Sequence, residues 1–289
     1  MSATERSEPR TLPPLPEALP VPIVDAHTHL DACGAKDAAD VTAMVDRAVS
    51  VGVARVVTVA DDLAAARWAA EAATWDERVF AAVAVHPTRT AAFSDADRAE
   101  VEALAARPRV VAVGETGLDY YWDYSPPAAQ QEAFRWHIDL AKRLGKPLMI
   151  HDRDAHEDIW RILEEEGPPE TVVFHCFSGD VEFARRCVDR GYVLSLAGTV
   201  TFRNARALRE AAVHIPTYQL LVETDAPFLT PHPFRGRPGE PYCAAYTITD
   251  LAQLRGVDVA ELGAAVAANA QRVFGLPDAT AGDIGGREA

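Results

Sequence analysis

Eight short apolar runs, rich in β-branched residues, recur along the chain at intervals that leave room for a helix between each pair. They read VPIVDAH, ARVVTVA, VFAAVAVH, VVAVGET, PLMIHD, TVVFHCF, YVLSLAG and LLVETD. Each is nearly continuous in hydrophobicity, which is the mark of parallel strands covered on both faces. The stretches between them carry helical patterns, such as DVTAMVDRAVSVG, LAAARWAAEAATW and DAHEDIWRILEEEG. Ser94, with Asp97 three positions on, predicts a capped helix start. PPAAQQEAFRWHIDLAKRLG opens with proline and closes on Gly145, as helices do. After the eighth run a loop near TPHPFRGRPGEP leads to two further helical patterns within residues 244–276.

This alternation predicts an α/β fold, a (β/α)8 TIM barrel in a single domain over residues 21–276. An open doubly wound sheet is the structural alternative. Such sheets usually carry a Gly-rich phosphate turn after the first strand, whereas here that strand ends in histidines. No internal repeat suggests a solenoid. Residues 1–20, MSATERSEPRTLPPLPEALP, are expected to form a flexible or extended proline-rich leader, and residues 277–289 a disordered tail. The formal net charge of −15 disfavours broad attraction to nucleic acid or anionic membrane, though not a local basic cleft. No apolar run reaches the ~20 residues a spanning helix needs, so no membrane role is expected. Cys33, Cys176, Cys187 and Cys243 form no CxxC pair, and reduced thiols in the cytoplasm are the simplest reading.

The active face of a (β/α)8 barrel lies at the C-terminal ends of its strands, so the residues ending each run carry the functional argument. The first run ends in His27 and His29, the third in His86, the fourth in Glu115, the fifth in His151, the sixth in His175 and the eighth in Asp225. Residues two apart on a strand share a face, which puts His27 and His29 on one side, together with Asp25 and Ile23. Imidazoles and carboxylates in this mixture suit zinc, manganese, iron and similar ions. Singly, each has a plain alternative. HxH can be a hydrogen-bonded pair, His151 or His175 a satisfied core histidine, Glu115 a partner for an arginine, and Asp225 a turn initiator. Jointly, the plain account needs all of them to fall by coincidence at one end of five strands. His137, His156 and His214 lie on predicted helices, where packing or surface roles suffice.

The segments DAHTHLD, GETGLD, HDRDA, HCFSG and LLVETDAPFLTPHPFRG, in that order, resemble the TatD-like deoxyribonuclease family of the metal-dependent amidohydrolase superfamily. The resemblance runs from about residue 21 to 275. It implies a TIM-barrel hydrolase with two divalent metal ions per chain (Zn, Mn, Ni, Fe or Mg). By motif, His27, His29 and Asp225 would hold one ion, His151 and His175 the other, and Glu115 would bridge them. Glu115 stands where many superfamily members carry a carboxylated lysine. The loop GRPGEPYCAAY departs from the family's usual pattern, which bears on substrate contacts at Gly239 and Cys243 and not on the ligands.

The expected activity is cleavage of DNA phosphodiester bonds by a hydroxide bridging the two ions. It should act as an exonuclease on single-stranded ends, because so acidic a chain suits a narrow basic pocket better than a duplex-gripping groove. Asp225 has two oxygens and is expected to serve as ligand and proton acceptor, with Glu115 beside it and Glu223 orienting a ligand or a water. Arg153 and Arg203 are candidate phosphate contacts, as are Arg235 and Arg237, with His86 a further donor. Phe202, Tyr120 or Tyr121 could stack unpaired bases. DNA is the expected partner, with no obligate protein partner evident. Two other readings stay open. The same site could hydrolyse an amide, a lactone or an aminoacyl-tRNA ester. Alternatively, the barrel could be a metal-binding scaffold whose leader docks a partner.

Overall fold

The computed structural model describes residues 11–277. Eight parallel strands form one sheet in the order of the chain: β1 (Ile23–Thr28), β2 (Val53–Val59), β3 (Val79–Val83), β4 (Val110–Asp119), β5 (Leu148–Arg153), β6 (Val172–Phe174), β7 (Val193–Leu196) and β8 (Leu220–Val222). The sheet closes on itself where Thr28 bridges Ala226 in parallel, giving the (β/α)8 barrel expected from the alternation. Around it lie α1 (Ala38–Val49), α2 (Leu63–Ala72), α3 (Asp95–Ala105), α4 (Pro127–Leu144), α5 (His156–Glu166), α6 (Val181–Asp189), α7 (Arg206–His214), α8 (Ala244–Arg255) and α9 (Val259–Phe274). Among the described residues no helix is long and apolar enough to cross a membrane.

Local chemistry sets the helix ends. Asp37, Asp62, Asp180 and Asp258 each cap a helix start with a side-chain oxygen. Ser94 and Asp97 close a reciprocal capping box at α3. Gly145 ends α4 in the left-handed conformation.

Two apolar layers follow from the strand alternation. Outward residues such as Ile23, Val56, Val113, Ile150 and Val222 pack against the helices. Inward residues Val24, Ala26, Val57, Val59, Phe80, Ala82, Ala112, Met149, Val173, Val193 and Leu221 fill the axis. Val273, Phe274 and Leu276, at the end of α9 and just beyond, plug the axis. Arg55 pins that end of the chain by donating to the Pro277 carbonyl.

Two of the register shifts in the sheet bear on the mouth of the barrel. Between Asp25 and Thr28 of β1 the register against β2 slips by one residue, and between Val113 and Thr116 of β4 the register against β5 does the same. An extra residue of this kind is a β-bulge, and it resets which face the following side chains take. In β1, Val24 and Ala26 point inward before the bulge, yet His27 also points inward after it. The strict period-2 expectation, with Ile23 and Asp25 on the face of His27, is therefore corrected. Ile23 packs in the outer layer, and Asp25 accepts hydrogen bonds from Thr224 N (2.8 Å) and Thr224 Oγ1 (2.6 Å). In β4 the bulge turns Glu115 inward while Thr116 faces α4, where its hydroxyl meets His137 Nδ1 at 3.1 Å. Glycine is required here. A Cβ on Gly114 would lie 2.4 Å from Met149 Cβ, and one on Gly117, which has φ +139°, 2.1 Å from the His151 carbonyl oxygen.

Part of the segment expected to be a flexible or extended leader makes hydrogen bonds to the barrel. Residues 11–20 form no helix or strand; Tyr242 Oη donates to Pro13 O (2.5 Å), Tyr246 Oη to Pro14 O (2.9 Å), and Leu19 N to Val51 O (3.0 Å). Residues 1–10 and most of the tail expected at 277–289 lie outside the described residues.

Candidate metal centre

At the C-terminal mouth of the barrel six side chains from five strand ends converge. His27 Nε2 and His29 Nε2 are 3.2 Å apart, and Asp225 Oδ1 lies 3.5 Å from the first and 3.3 Å from the second. On the other side, His151 Nδ1 and His175 Nε2 are 3.3 Å apart. Glu115 stands between the two groups. Its Oε2 is 2.7 Å from His175 Nε2 and 3.4 Å from His151 Nδ1, while its Oε1 is 3.7 Å from His29 Nε2. His27 stacks on His175 with ring centroids 4.0 Å apart. All but Asp225 and His151 are buried.

Each imidazole turns one nitrogen to this centre and the other to a partner outside it. His29 Nδ1 donates to Val59 O at 2.8 Å. His151 Nε2 donates to Asp119 Oδ2 at 3.1 Å. His175 Nδ1 lies 3.4 Å from Glu223 Oε1, and His27 Nδ1 lies 3.2 Å from Met149 Sδ. Outer partners of this kind fix tautomer and ring angle, and leave the inner nitrogen lone pair for a ligand. Glu223 is itself held, since Cys176 N donates to its Oε1 at 2.6 Å. Asp225 takes the left-handed backbone conformation (φ +56°), and so does Cys176 just after His175 (φ +43°). Such a conformation in residues other than glycine is a cost that the surrounding hydrogen bonds must hold in place. For Asp225 these are Asp225 N to His27 O and Phe228 N to Asp225 O, both 2.9 Å.

The electrostatics show a set of donors that shares protons. Burial works against charge on His29, but its hydrogen bond to Asp225 and the nearby Glu115 carboxylate outweigh that and raise it to about 9. Burial likewise opposes charge on His175, and Glu115 and Glu223 overcome it, holding that ring well above its usual range. His27 goes the other way, lowered by burial and by the neighbouring His175. Burial would raise Glu115, yet the imidazoles around it, His175 first, keep it well below the usual carboxylate range. A divalent cation bound by these donors would displace such protons.

The residues fit a metal. His27, His29 and Asp225 form one group with ligand atoms within 4.8 Å of one another, and Glu115, His151 and His175 form another. Glu115 Oε2 is a buried carboxylate oxygen whose close partners are the ring nitrogens of His175 (2.7 Å) and His151 (3.4 Å), with no other donor among the described residues. An anionic oxygen left so in a protein interior is costly unless a cation satisfies it. Hard carboxylate oxygen with imidazole nitrogen suits zinc, manganese, nickel or iron.

The other sequence candidates fall in two groups. His86 reaches the centre. Its ring lies 4.3 Å from that of His151, and Thr88 N (3.2 Å) and Thr88 Oγ1 (2.7 Å) occupy its Nδ1. Burial pushes it down to about 3, so it is neutral. Arg153, Arg203, Arg235 and Arg237 stay out on the rim, all exposed. The Arg153 guanidinium lies 4.0 Å over the Tyr121 ring and that of Arg235 4.4 Å over Phe202. Of the two roles open to Tyr120, stacking or packing, the packing one is seen: its hydroxyl donates to Asp158 Oδ2 at 2.7 Å and its ring packs on the outer core. Sequence reasoning missed Asp119. It ends β4 four residues after Glu115, and a carboxylate at a strand end was the available signal. Its Oδ2 meets His151, and its Oδ1 accepts from Tyr121 N and Trp122 N, both at 3.0 Å.

A barrel of this topology with such a donor set at its mouth defines a metal-dependent hydrolase, and the relatives bear that out. The family model for TatD-related DNase matches residues 24–275. A relative from Mycobacterium tuberculosis described as an uncharacterized metal-dependent hydrolase TatD is 59% identical, covering 88% of this chain and 98% of its own. A 3'-5' ssDNA/RNA exonuclease TatD from Citrobacter rodentium is 34% identical over 81% of this chain and 91% of that one. The crystal structure of YJJV, a TatD homologue from Escherichia coli, superposes with a TM-score of 0.83 at 31% identity, covering 88% of this chain and 98% of that chain. The chain belongs to the TatD-related deoxyribonuclease family.

Proposed function

We propose that the protein is a two-metal phosphodiesterase that removes nucleotides from the ends of single-stranded DNA. The observation that carries this reading is the position of Glu115, one buried carboxylate in reach of both histidine pairs. His27, His29 and Asp225 would hold one cation, His151 and His175 the other, with Glu115 common to both. Two such ions supply Lewis acidity toward a phosphoryl oxygen and lower the pKa of water at the site.

The chain's own groups do the rest. Asp225 turns Oδ1 toward the histidine pair, which leaves its second oxygen to accept the proton of the attacking water and return it to the leaving oxygen. Val59 O, Asp119 and Glu223 keep the imidazoles in register. On the rim, Arg153 and Arg203 meet the phosphates of the strand in a fork geometry that suits them. His86, neutral and beside His151, offers a hydrogen bond to the same group. The name of the Citrobacter rodentium relative supports a nucleic-acid end as substrate. The four cysteines are free thiols, which suits a cytoplasmic enzyme.

The test is a timed digest of 5′- and 3′-labelled oligonucleotides by protein stripped with chelator and reloaded with single metals, alongside elemental analysis. The reading expects about two ions per chain and release of nucleotides that chelation abolishes. Turnover of a lactone or cyclic amide panel with DNA untouched would replace the phosphodiester with a carbonyl substrate.

A further inference from the structure

The loop between β4 and α4 reads YYWDYS and leaves three large aromatic rings in solvent. Tyr121 is 56% exposed, Trp122 44% and Tyr124 67%. The rings are ordered against one another. Tyr121 meets Trp122 edge to face at 4.9 Å, and Trp122 lies parallel to Tyr124, within 10°, at 5.5 Å. Arg153 covers the face of Tyr121 at 4.0 Å and lies 5.9 Å from Trp122. Three exposed aromatics within four residues form a patch that soluble proteins seldom keep without a binding role.

The position of this patch identifies what covers it. Its root is fixed by Asp119, whose Oδ1 takes the amides of Tyr121 and Trp122 while its Oδ2 takes His151. The rings therefore begin two residues from Asp119, the outer partner of His151, and are tied to the frame of that histidine. The loop that carries the rings springs from the C-terminal end of β4, the strand that delivers Glu115 to the mouth of the barrel. Flat π faces accept any nucleobase by stacking, and a guanidinium among them adds a fork for phosphate. The chain as a whole is strongly acidic, so a local cation here is selective for a polyanion threaded at this point.

Resting on the phosphodiesterase reading, we infer that Tyr121, Trp122 and Tyr124 form a stacking ledge. It takes the unpaired bases of a nucleic-acid strand next to the scissile phosphate, and Arg153 contacts the strand's backbone. Paired bases have their faces covered by their neighbours, so the ledge selects single strands.

Three substrates and three proteins test this. The substrates are an end-labelled single-stranded oligodeoxynucleotide, the same strand with abasic sugars beside the cleaved end, and methyl 4-nitrophenyl phosphate, which is too short to reach the ledge. The proteins are the wild type, the double variant Trp122→Ala with Tyr124→Ala, and the double variant Trp122→Phe with Tyr124→Phe. The alanine pair should raise KM on the intact strand roughly 10-fold or more and erase the preference for intact over abasic strand. It should leave kcat on the small ester unchanged, and the phenylalanine pair should restore the preference. An alanine pair that keeps the wild-type ratio of intact to abasic strand overturns the ledge, as does an equal loss on the small ester. A wild type that cleaves none of the three removes the phosphodiesterase reading, and the ledge with it.

Discussion

At the floor of the barrel Val24, Val57, Phe80 and Val193 close on Val273, Phe274 and Leu276, and every one of these side chains is apolar. At the mouth of the same cylinder β1, β4, β5 and the turn after β6 deliver His27, Glu115, His151 and His175, all facing inward and most of them buried. The floor asks only for apolar volume, and its residues could be exchanged for others of similar size. The mouth departs from alternation at β1 and β4, holds residues in left-handed conformations and concentrates charge where water is scarce. The floor gives the barrel its stability. The mouth spends some of that stability on holding these side chains in place.

Separate substitutions at the two ends should separate stability from activity. Glu115→Gln keeps the shape of the mouth and removes the shared anion. Steady-state assays should show a loss of more than about 1,000-fold in kcat/KM, on the order of 4 kcal/mol of transition-state stabilisation, with Tm unchanged or higher. Phe274→Ala, at the floor, should do the reverse. Urea unfolding should report roughly 3–5 kcal/mol of lost stability, while the protein that remains folded keeps wild-type kcat. A floor variant that loses activity while fully folded would break the distinction.

Asp119→Asn is a milder change at the mouth. It frees His151 to change tautomer and should weaken metal affinity about 10- to 100-fold, as read by titration with a chromophoric chelator.

The smallest effect concerns His137, which lies in neither region. It is buried between β4 and α4, donates from Nδ1 to Ala133 O at 2.8 Å and accepts at Nε2 from Val85 N at 3.3 Å. Burial pushes it down to about 3, so the folded protein refuses a proton that the unfolded chain accepts below its ordinary value. The stability this contributes is complete above about pH 6.5 and drains as pH falls toward 3. Between pH 7 and 5 the loss should be roughly 2 kcal/mol, and His137→Gln should flatten that slope in urea titrations.

The contrast also explains what the sequence made legible. Strand count, order and closure could be read from eight apolar runs, because a strand buried on both faces writes its position in hydrophobicity. His27, His29, Glu115, His151, His175 and Asp225 could be read because each ends such a run. The bulges left no trace, since one extra residue in β1 or β4 does not alter the composition of the run. Asp119 offered only the weak signal of a carboxylate at a strand end, because DYYWDY also reads as the start of a loop, and the fold shows that carboxylate turned back to His151. The leader's attachment was hidden as well. It runs through the backbone carbonyls of Pro13 and Pro14, which carry no side-chain signal.

One joint in the cylinder has a further consequence. β8 and β1 meet through the Thr28–Ala226 bridge, the pairs Asp225 N to His27 O and His29 N to Ala226 O, and the Asp25 carboxylate on Thr224. His27 and His29 lie on one lip of that seam and Asp225 on the other. An ion gripping all three would act as a rivet through that joint. Breathing of the sheet and release of the ion would then be the same event, and amide exchange at positions 29 and 225 should slow when the protein is charged with metal.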